Sequence, residues 1–343
     1  MVDKLLVAST HLPPVSGGAE RTAWELAKRL SDRFDVHLLT TGATGTVEKG
    51  AVTVHYVPRV PLLTLLYSTI QRRQITRLLD AIRPAIVHSH MPLPWAYVFR
   101  HESAKKVVTC HGSDVFPHKG YPRKLFLMSA MKHADLMTAA SSWLCRYLLR
   151  NYDIHAKLLS NGVDTKVFRP LKNIRRAENV VLFVGRFLER KGVFDLLGAA
   201  RLLPEYEFWF VGDARVKELA GKSVLSPNVR PIGFVDDLVR CYAQATLCVF
   251  PSHWENFPLV GLEALACGKA TIATTLGFSE YIQNGHDGVL IRPHDVTGLV
   301  KSIRYLMENA GLREELEKNA REKAIQYDWD LVAQRCCSLY MSL

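Results

Sequence analysis

Short, almost wholly apolar runs recur along this chain, each separated from the next by an amphipathic stretch. No other feature restricts the fold as much. The runs KLLVAST, VHLLT, VTVHYV, AIVHSH, KKVVTC, DLMTAAS and HAKLLS occupy the first half, with helical patterns such as AERTAWELAKRL and YPRKLFLMSAMKH between several of them. A strand apolar at nearly every position has both faces buried, and intervening helices are what cover them, so the pattern predicts parallel sheets. The alternation breaks at LLSNGVDTKVFRPLKNIRRAENV, where Asn161-Gly162 signals a turn and Pro170 opens a polar linker. A second series then follows: VVLFVGR, EFWFVGD, VRPIGF, TLCVFPS, the strand that closes Val249–Thr275, and GVLI. At 343 residues the chain exceeds one ordinary core. The expected fold class is therefore α/β, with two doubly wound parallel-sheet domains meeting at a cleft. Their expected bounds are residues 1–165 and 166–325, with 326–343 a terminal helix packing back towards the first domain.

Apolar residues make up 48% and charged residues 22%, which excludes a disordered chain. No apolar run reaches the length of a membrane span, and MVDKLLVAST is a strand pattern without a cleavage site, so a cytoplasmic location is expected. Seven cysteines without a CxxC pair fit reduced, buried thiols. The charge is unevenly divided. Residues 1–170 hold 23 Lys and Arg against 12 Asp and Glu, whereas residues 171–343 hold 21 against 21. A basic half implies an anionic partner or, more blandly, a solvated face kept for solubility.

Ligands of doubly wound sheets bind beyond the carboxyl ends of the strands, so the turns there are where chemistry is expected. In HLPPVSGGAERTAWELAKRL, Gly17 and Gly18 precede a helix and let backbone approach a phosphate or sugar. This is not GxGxxG, and no GxxxxGK[ST] occurs, which disfavours a dinucleotide fold and a P-loop. In VTCHGSD, His111 ends a strand beside Gly112 and is placed to bond a hydroxyl, act as a base or close the turn. His88 and His90 share a strand face, without further ligands at zinc spacing. In FVGRFLERKGVFDLL, Arg186 and Lys191 bring two cations to one strand end ahead of a helix, a setting for a diphosphate. No DxD-type carboxylate pair for Mg²⁺ is present, and Asp236-Asp237 fits a helix start. In VFPSHWENFPLVGLEALACGKATIATT, Glu255 sits in a loop and Glu263 eight positions on in a helix, with Pro258 expected at the first helical position. Taken alone, that stretch is equally a sugar or phosphate site and a capped crossover with two solvated glutamates.

Together these motifs resemble the retaining glycosyltransferases of family 4 (group 1), which have the two-domain GT-B fold. SGGAE, AIVHSH, VTCHGSD, SNGVDTKVF, VGRFLERKG, FVGD and ENFPLVGLEALACG carry the resemblance over nearly the whole chain. It implies transfer of a hexose-type sugar from a nucleotide-diphosphate sugar (UDP- or GDP-linked) bound by the second domain to an acceptor bound by the first. By the matching positions, Arg186 and Lys191 would hold the diphosphate and Glu255 would face the sugar hydroxyls. Backbone around Asn256, Phe257, Pro258 and Leu259 would contact sugar and phosphate, and Glu263 the ribose. Gly233, Phe234 and Val235 would lie near the base, Gly17 and Gly18 would close over the diphosphate, and His111 would line the reacting centre. The leaving phosphate would take the acceptor proton on the same face, so no metal and no other cofactor is expected.

Two departures from the family pattern bear on the sugar. Glu-Asn-Phe-Pro stands where many members have Glu-Gly-Phe-Gly, and Gly277-Phe278-Ser279-Glu280 is expected to put a phenyl ring where small residues are common. VPLLTLLYSTIQRRQITRLL, with Arg72, Arg73 and Arg77, and YPRKLFLMSAMKH, with Arg123 and Lys124 beside Phe126 and Leu127, suit either an anionic membrane face or ordinary packing on the sheet. A lipid-linked or otherwise anionic acceptor, peripheral attachment to the cytoplasmic membrane face and no nucleic-acid partner are the resulting expectations. A nucleotide-sugar epimerase of the same architecture and a non-catalytic nucleotide-sugar-binding protein are the competing classes.

Overall fold

The structure, a computed structural model, describes residues 2–12, 17–58, 69–116, 121–213 and 225–343, with backbone alone for 69–72 and 121–123. The chain forms two compact units, Met1–Asn161 with Trp329–Leu343, and Gly162–Asp328. The boundaries differ from those expected by a few residues, and backbone pairing explains where they fall. Val163 forms an isolated parallel bridge with Asp328, and its N–H donates to the Tyr327 carbonyl at 2.9 Å. The Thr165 N–H and hydroxyl both donate to the Asp328 carboxylate. The second unit therefore keeps its first and last residues tied together, and the sequence carries no local signal for that tie.

Among the described residues, the first unit carries an eight-stranded sheet: β1 (Lys4–Ala8), β2 (Asp35–Thr41), β3 (Gly45–Lys49), β4 (Val52–Val57), β5 (Ile86–His90), β6 (Lys105–Cys110), β7 (Leu136–Ala139) and β8 (Ala156–Leu158). The order is β3-β4-β2-β1-β5-β6-β7-β8, parallel except for β3. Strand β3 is absent from the apolar pattern because all five of its residues are exposed. It is an edge hairpin strand, antiparallel to β4, and Thr53 anchors it by donating to Glu48 at 2.9 Å. In β5 every residue is buried, histidines included.

The second unit carries β9 (Val180–Gly185), β10 (Glu207–Gly212), β11 (Val229–Gly233), β12 (Leu247–Phe250), β13 (Thr271–Thr274) and β14 (Val289–Ile291), all parallel, in the order β11-β10-β9-β12-β13-β14. Phe183, Phe187, Phe208 and Phe210 are essentially fully buried against Leu247 and Val249. Each sheet reverses its direction of winding once, between β1 and β5 and between β9 and β12. Doubly wound sheets bind ligands at such points, because neighbouring crossovers diverge there and leave the strand ends uncovered.

The helix Trp329–Tyr340 belongs to the first unit. Arg29 Nε donates to Asp330 at 2.8 Å, and Phe34 meets the Tyr340 ring edge-on at 5.9 Å. The Tyr340 hydroxyl lies 2.6 Å from His88 Nδ1 in the core, joining this helix to the central sheet. All seven cysteines are free, and Cys336 and Cys337 are packed into this same core. Replacing Tyr340 with Phe strips a partner from a fully buried histidine nitrogen and should lower stability by about 1–3 kcal/mol. Urea denaturation of the two proteins measures this; an unchanged midpoint would show that the contact is not structural.

Candidate functional site

At the winding reversal of the second unit, two loops are locked together by close backbone approach. After β9 come exposed Arg186, buried Phe187, a 3-10 turn Glu189–Lys191 and then Gly192, whose φ of +69° starts the helix Val193–Leu202. A Cβ on Gly192 would lie 1.9 Å from the Pro251 carbonyl oxygen, so only glycine fits here. The His253 N–H donates to the Arg190 carbonyl at 2.8 Å, a second tie between the loops. Held this way, Lys191 Nζ donates to Glu255 Oε1, with side chains only 16% and 11% exposed. Ser252 Oγ donates to the same oxygen at 3.4 Å, and Thr274 at the end of β13 donates to the Ser252 carbonyl at 2.6 Å. Gly277, at φ +86°, leaves room for the Glu255 backbone, since a Cβ there would lie 2.6 Å from the Glu255 carbonyl oxygen. An ammonium and a carboxylate thus face each other at the switch point with backbone fixed on three sides.

The following segment corrects two expectations. Pro258 is the N-cap of the helix Leu259–Ala266 and not its first residue; its ψ of 125° is extended, and its carbonyl accepts from the buried Tyr281 hydroxyl at 2.7 Å. Phe278 does not enter the site: it is fully buried, its ring stacked on Phe250 at 5.8 Å, because the kinked turn Thr275–Phe278 aims it into the core. Leu276, two residues earlier, is exposed, as is Thr275 at the start of that turn.

Asn256 and Phe257 are each 6% exposed, and the Phe257 ring packs on Tyr281 at 5.0 Å, so its backbone and not its ring is what it offers a ligand. Glu263 is 2% exposed and accepts from the Tyr242 hydroxyl at 3.2 Å. Burial, with Glu263 alongside, holds the Tyr242 hydroxyl well above its ordinary pKa, so it stays a donor. Neither tyrosine carries a sequence signal for this role; each arrives from a distant helix or turn. Phe234, beyond Gly233 (φ +86°) at the end of β11, is 85% exposed and presents a ring to solvent, with Val235 after it half-buried.

In the first unit, Gly17 is the N-cap of the helix Gly18–Leu30, and its N–H donates to the Glu20 carboxylate at 2.9 Å. The extended φ of −97° at Gly17 does not demand glycine. His111 follows β6, and Asp114 fixes its turn by accepting from the N–H groups of His111 and Gly112, the latter at 2.6 Å. His111 Nε2 lies 3.2 Å from His90 Nδ1, the His90 ring stacks on His88 at 4.4 Å, and His88 Nε2 meets the Thr109 hydroxyl at 2.6 Å. Burial pushes His88 down to about 3 and His111 down to about 4, and holds His90 well below its ordinary value. All three imidazoles are neutral at pH 7, so His111 is a neutral hydrogen-bonding group and not a cation. Of the basic segments, residues 59–68, the side chains of 69–72 and that of Arg123 lie outside the described residues. Arg73 and Arg77 are exposed on the helix Thr69–Ile82, whereas Leu127 is buried in the core of the first unit, the ordinary packing that its segment left open beside a membrane face.

Residues 164–323 match the family model described as glycosyl transferases group 1, and residues 16–167 match that described as glycosyltransferase family 4. An uncharacterized glycosyltransferase of Methanocaldococcus jannaschii is 26% identical, over 100% of this chain and 99% of its own length. The N,N'-diacetylbacillosaminyl-diphospho-undecaprenol alpha-1,3-N-acetylgalactosaminyltransferase of Campylobacter jejuni is 34% identical over 53% of this chain and 52% of its own. Among solved structures, Anabaena HepE in complex with UDP-glucose superposes with a TM-score of 0.81 at 22% identity, covering 99% of this chain and 100% of that one.

The histidine cluster sets an acid dependence. Unfolded, each imidazole takes its proton near pH 6.5; folded, only far lower. Between those values the unfolded chain binds more protons, so stability falls as pH drops below about 6.5 and is level above it. Thermal melts should give a lower midpoint at pH 5 than at pH 7.5, and His111→Asn should narrow the gap. A gap that His111→Asn leaves intact would place the acid sensitivity elsewhere.

Proposed function

Because this chain belongs to the group 1 glycosyltransferases and has their GT-B fold, we propose that it is a retaining, metal-independent enzyme. It moves a hexose-type sugar from a nucleotide-diphosphate sugar in the second unit to an acceptor in the first. The observation that carries this reading is the Lys191–Glu255 pair at the β9/β12 switch point. A diphosphate beside Lys191 and the exposed Arg186 meets an ammonium and a guanidinium fork. Engaging Lys191 frees the Glu255 carboxylate to accept from the donor sugar's hydroxyls, so donor binding exchanges one half-buried ion pair for two ligand contacts. Backbone N–H groups of Asn256, Phe257 and Leu259 serve the sugar and phosphate. Pro258, lacking an N–H, and the bulk of Asn256 set the shape of the sugar site.

Glu263, held by Tyr242, takes the ribose, and the exposed Phe234 ring beside Gly233 and Val235 offers the base a stacking face. Stabilising the charge that grows on the departing diphosphate is then the main catalytic contribution of the protein, and that phosphate removes the acceptor proton on the same face. The UDP-glucose bound by HepE supports the donor class. In the first unit we assign the acceptor side to His111, as a neutral hydrogen-bonding group. The excess of 23 basic over 12 acidic residues in 1–170 favours an acceptor that is lipid-linked or otherwise anionic, as does the diphospho-undecaprenol in the name of the Campylobacter relative. Among the described residues no helix is long and apolar enough to cross a membrane, so membrane contact would be peripheral.

Incubation with a panel of nucleotide sugars and candidate acceptors, read for free nucleotide, tests the reaction class; an epimerised donor without nucleotide release would replace it. Lys191→Ala should reduce kcat by about 10²–10³, the range for losing one preorganised charge-stabilising group, with an unchanged circular dichroism spectrum. Turnover equal to wild type would refute the diphosphate assignment. Sedimentation with anionic liposomes should pull down the protein at low salt and release it as salt rises. Failure to bind at any salt would remove the membrane contact while leaving the donor chemistry standing.

A further inference from the structure

Three segments of the second unit that no motif connects bring an imidazole pair and a carboxylate together. Asp195 lies in the first turn of the helix Val193–Leu202, His253 in the loop after β12, and His294 in the turn after β14. His253 Nε2 is 2.9 Å from Asp195 Oδ2, the rings of His253 and His294 are 3.7 Å apart centre to centre, and one ligand atom from each residue falls within 4.8 Å of the other two. The meeting is built by packing. Gly198 faces Val296, so that a Cβ there would touch its side chain at 3.8 Å, which sets the first helix against the start of the helix Val296–Glu308. Asp295 caps that second helix by accepting from the Gly298 N–H at 2.7 Å, fixing the turn that carries His294.

His294 itself is in an unusual state. Its φ is +63°, a left-handed conformation that favours glycine, and it makes no hydrogen bond or ion pair among the described residues. A non-glycine residue held at such a φ costs energy and, where it persists, points to a local function. Here the ring is held against a histidine that is already bonded to a carboxylate.

We infer that Asp195, His253 and His294 form a binding site for one first-row divalent ion of the zinc class. Two imidazole nitrogens and a carboxylate oxygen are a donor set that zinc takes tetrahedrally with water in the fourth position, whereas magnesium and calcium require oxygen ligands. Zinc bonds of about 2.0–2.2 Å place tetrahedral ligand atoms about 3.4 Å apart. Slight opening of the Asp195–His253 contact and rotation of the exposed His294 ring reach that spacing. The bound ion would staple the Val193 helix, the loop that leads to Glu255 and the turn after β14. It takes no part in sugar transfer, and the inference does not rest on the transferase reading.

Calorimetric titration of the intact protein with zinc chloride, and with magnesium chloride as comparison, tests it. We expect one zinc per chain, no magnesium, and a zinc-dependent rise in melting temperature. His294→Gly, which suits the left-handed backbone and so should fold, and Asp195→Asn should each weaken zinc binding by about 100-fold, at least the loss seen when a supporting partner of a metal ligand is removed. Cobalt should give the visible spectrum of a tetrahedral nitrogen and oxygen site without a thiolate charge-transfer band, separating it from the seven cysteines. Absence of stoichiometric zinc binding, wild-type affinity in both variants, or a thiolate band would each overturn the assignment.

Discussion

The backbone of Gly192 lies so near the Pro251 carbonyl that no side chain can stand between them, and the candidate donor site depends on that contact. It brings the turn after β9 against the turn after β12, the two strands between which the sheet reverses its winding. Lys191 precedes this glycine by one residue and Glu255 follows the proline by four, so their ion pair is a consequence of the backbone approach. Under the proposed function, the ammonium and the carboxylate each match a different part of a sugar diphosphate, so a bound donor would take the place of their mutual contact. Gly277 repeats the device on the other flank, admitting the backbone of Glu255 where a Cβ would collide with it.

The first unit solves a different problem: how to keep polar side chains inside a sheet buried on both faces. His88 and His90 stand on β5 with no access to solvent. Thr109 from the neighbouring strand and Tyr340 from the last helix satisfy His88, while His90 stacks on it and reaches His111. Desolvation keeps all three imidazoles neutral. A chain of neutral rings runs from the C-terminal helix to the carboxyl end of β6, and the last helix therefore supports the residue expected to meet the acceptor. The cost is sensitivity to acid, since His88 and His90 are fully buried and a proton on either ring would have to be held away from water.

The apolar runs made the strands legible because complete burial on both faces leaves few polar positions to confuse the pattern. The same rule explains why β3 was not legible: a wholly exposed edge strand has no apolar signature. Positions fixed by a turn beside a strand end, such as Arg186, Lys191, Glu255 and His111, could be singled out because strand ends in such sheets are where ligands meet the protein. The destination of Phe278 could not, since a kink of the turn at Gly277 decides whether the next ring faces ligand or core. Leu127 likewise turned inward, as one face of its helix had to cover the sheet.

By itself, then, the sequence determined the α/β class, two doubly wound sheets, the strand ends that carry charge and the family to which the chain belongs. These are properties of neighbours along the chain, carried by period and punctuation. The tertiary structure alone decided which side chains meet across long separations: Tyr242 with Glu263, Tyr340 with His88, and Asp195 with His253 and His294. Such meetings arise from helix packing and sheet order, which bring together positions tens to hundreds of residues apart and leave no regular spacing in the sequence to announce them.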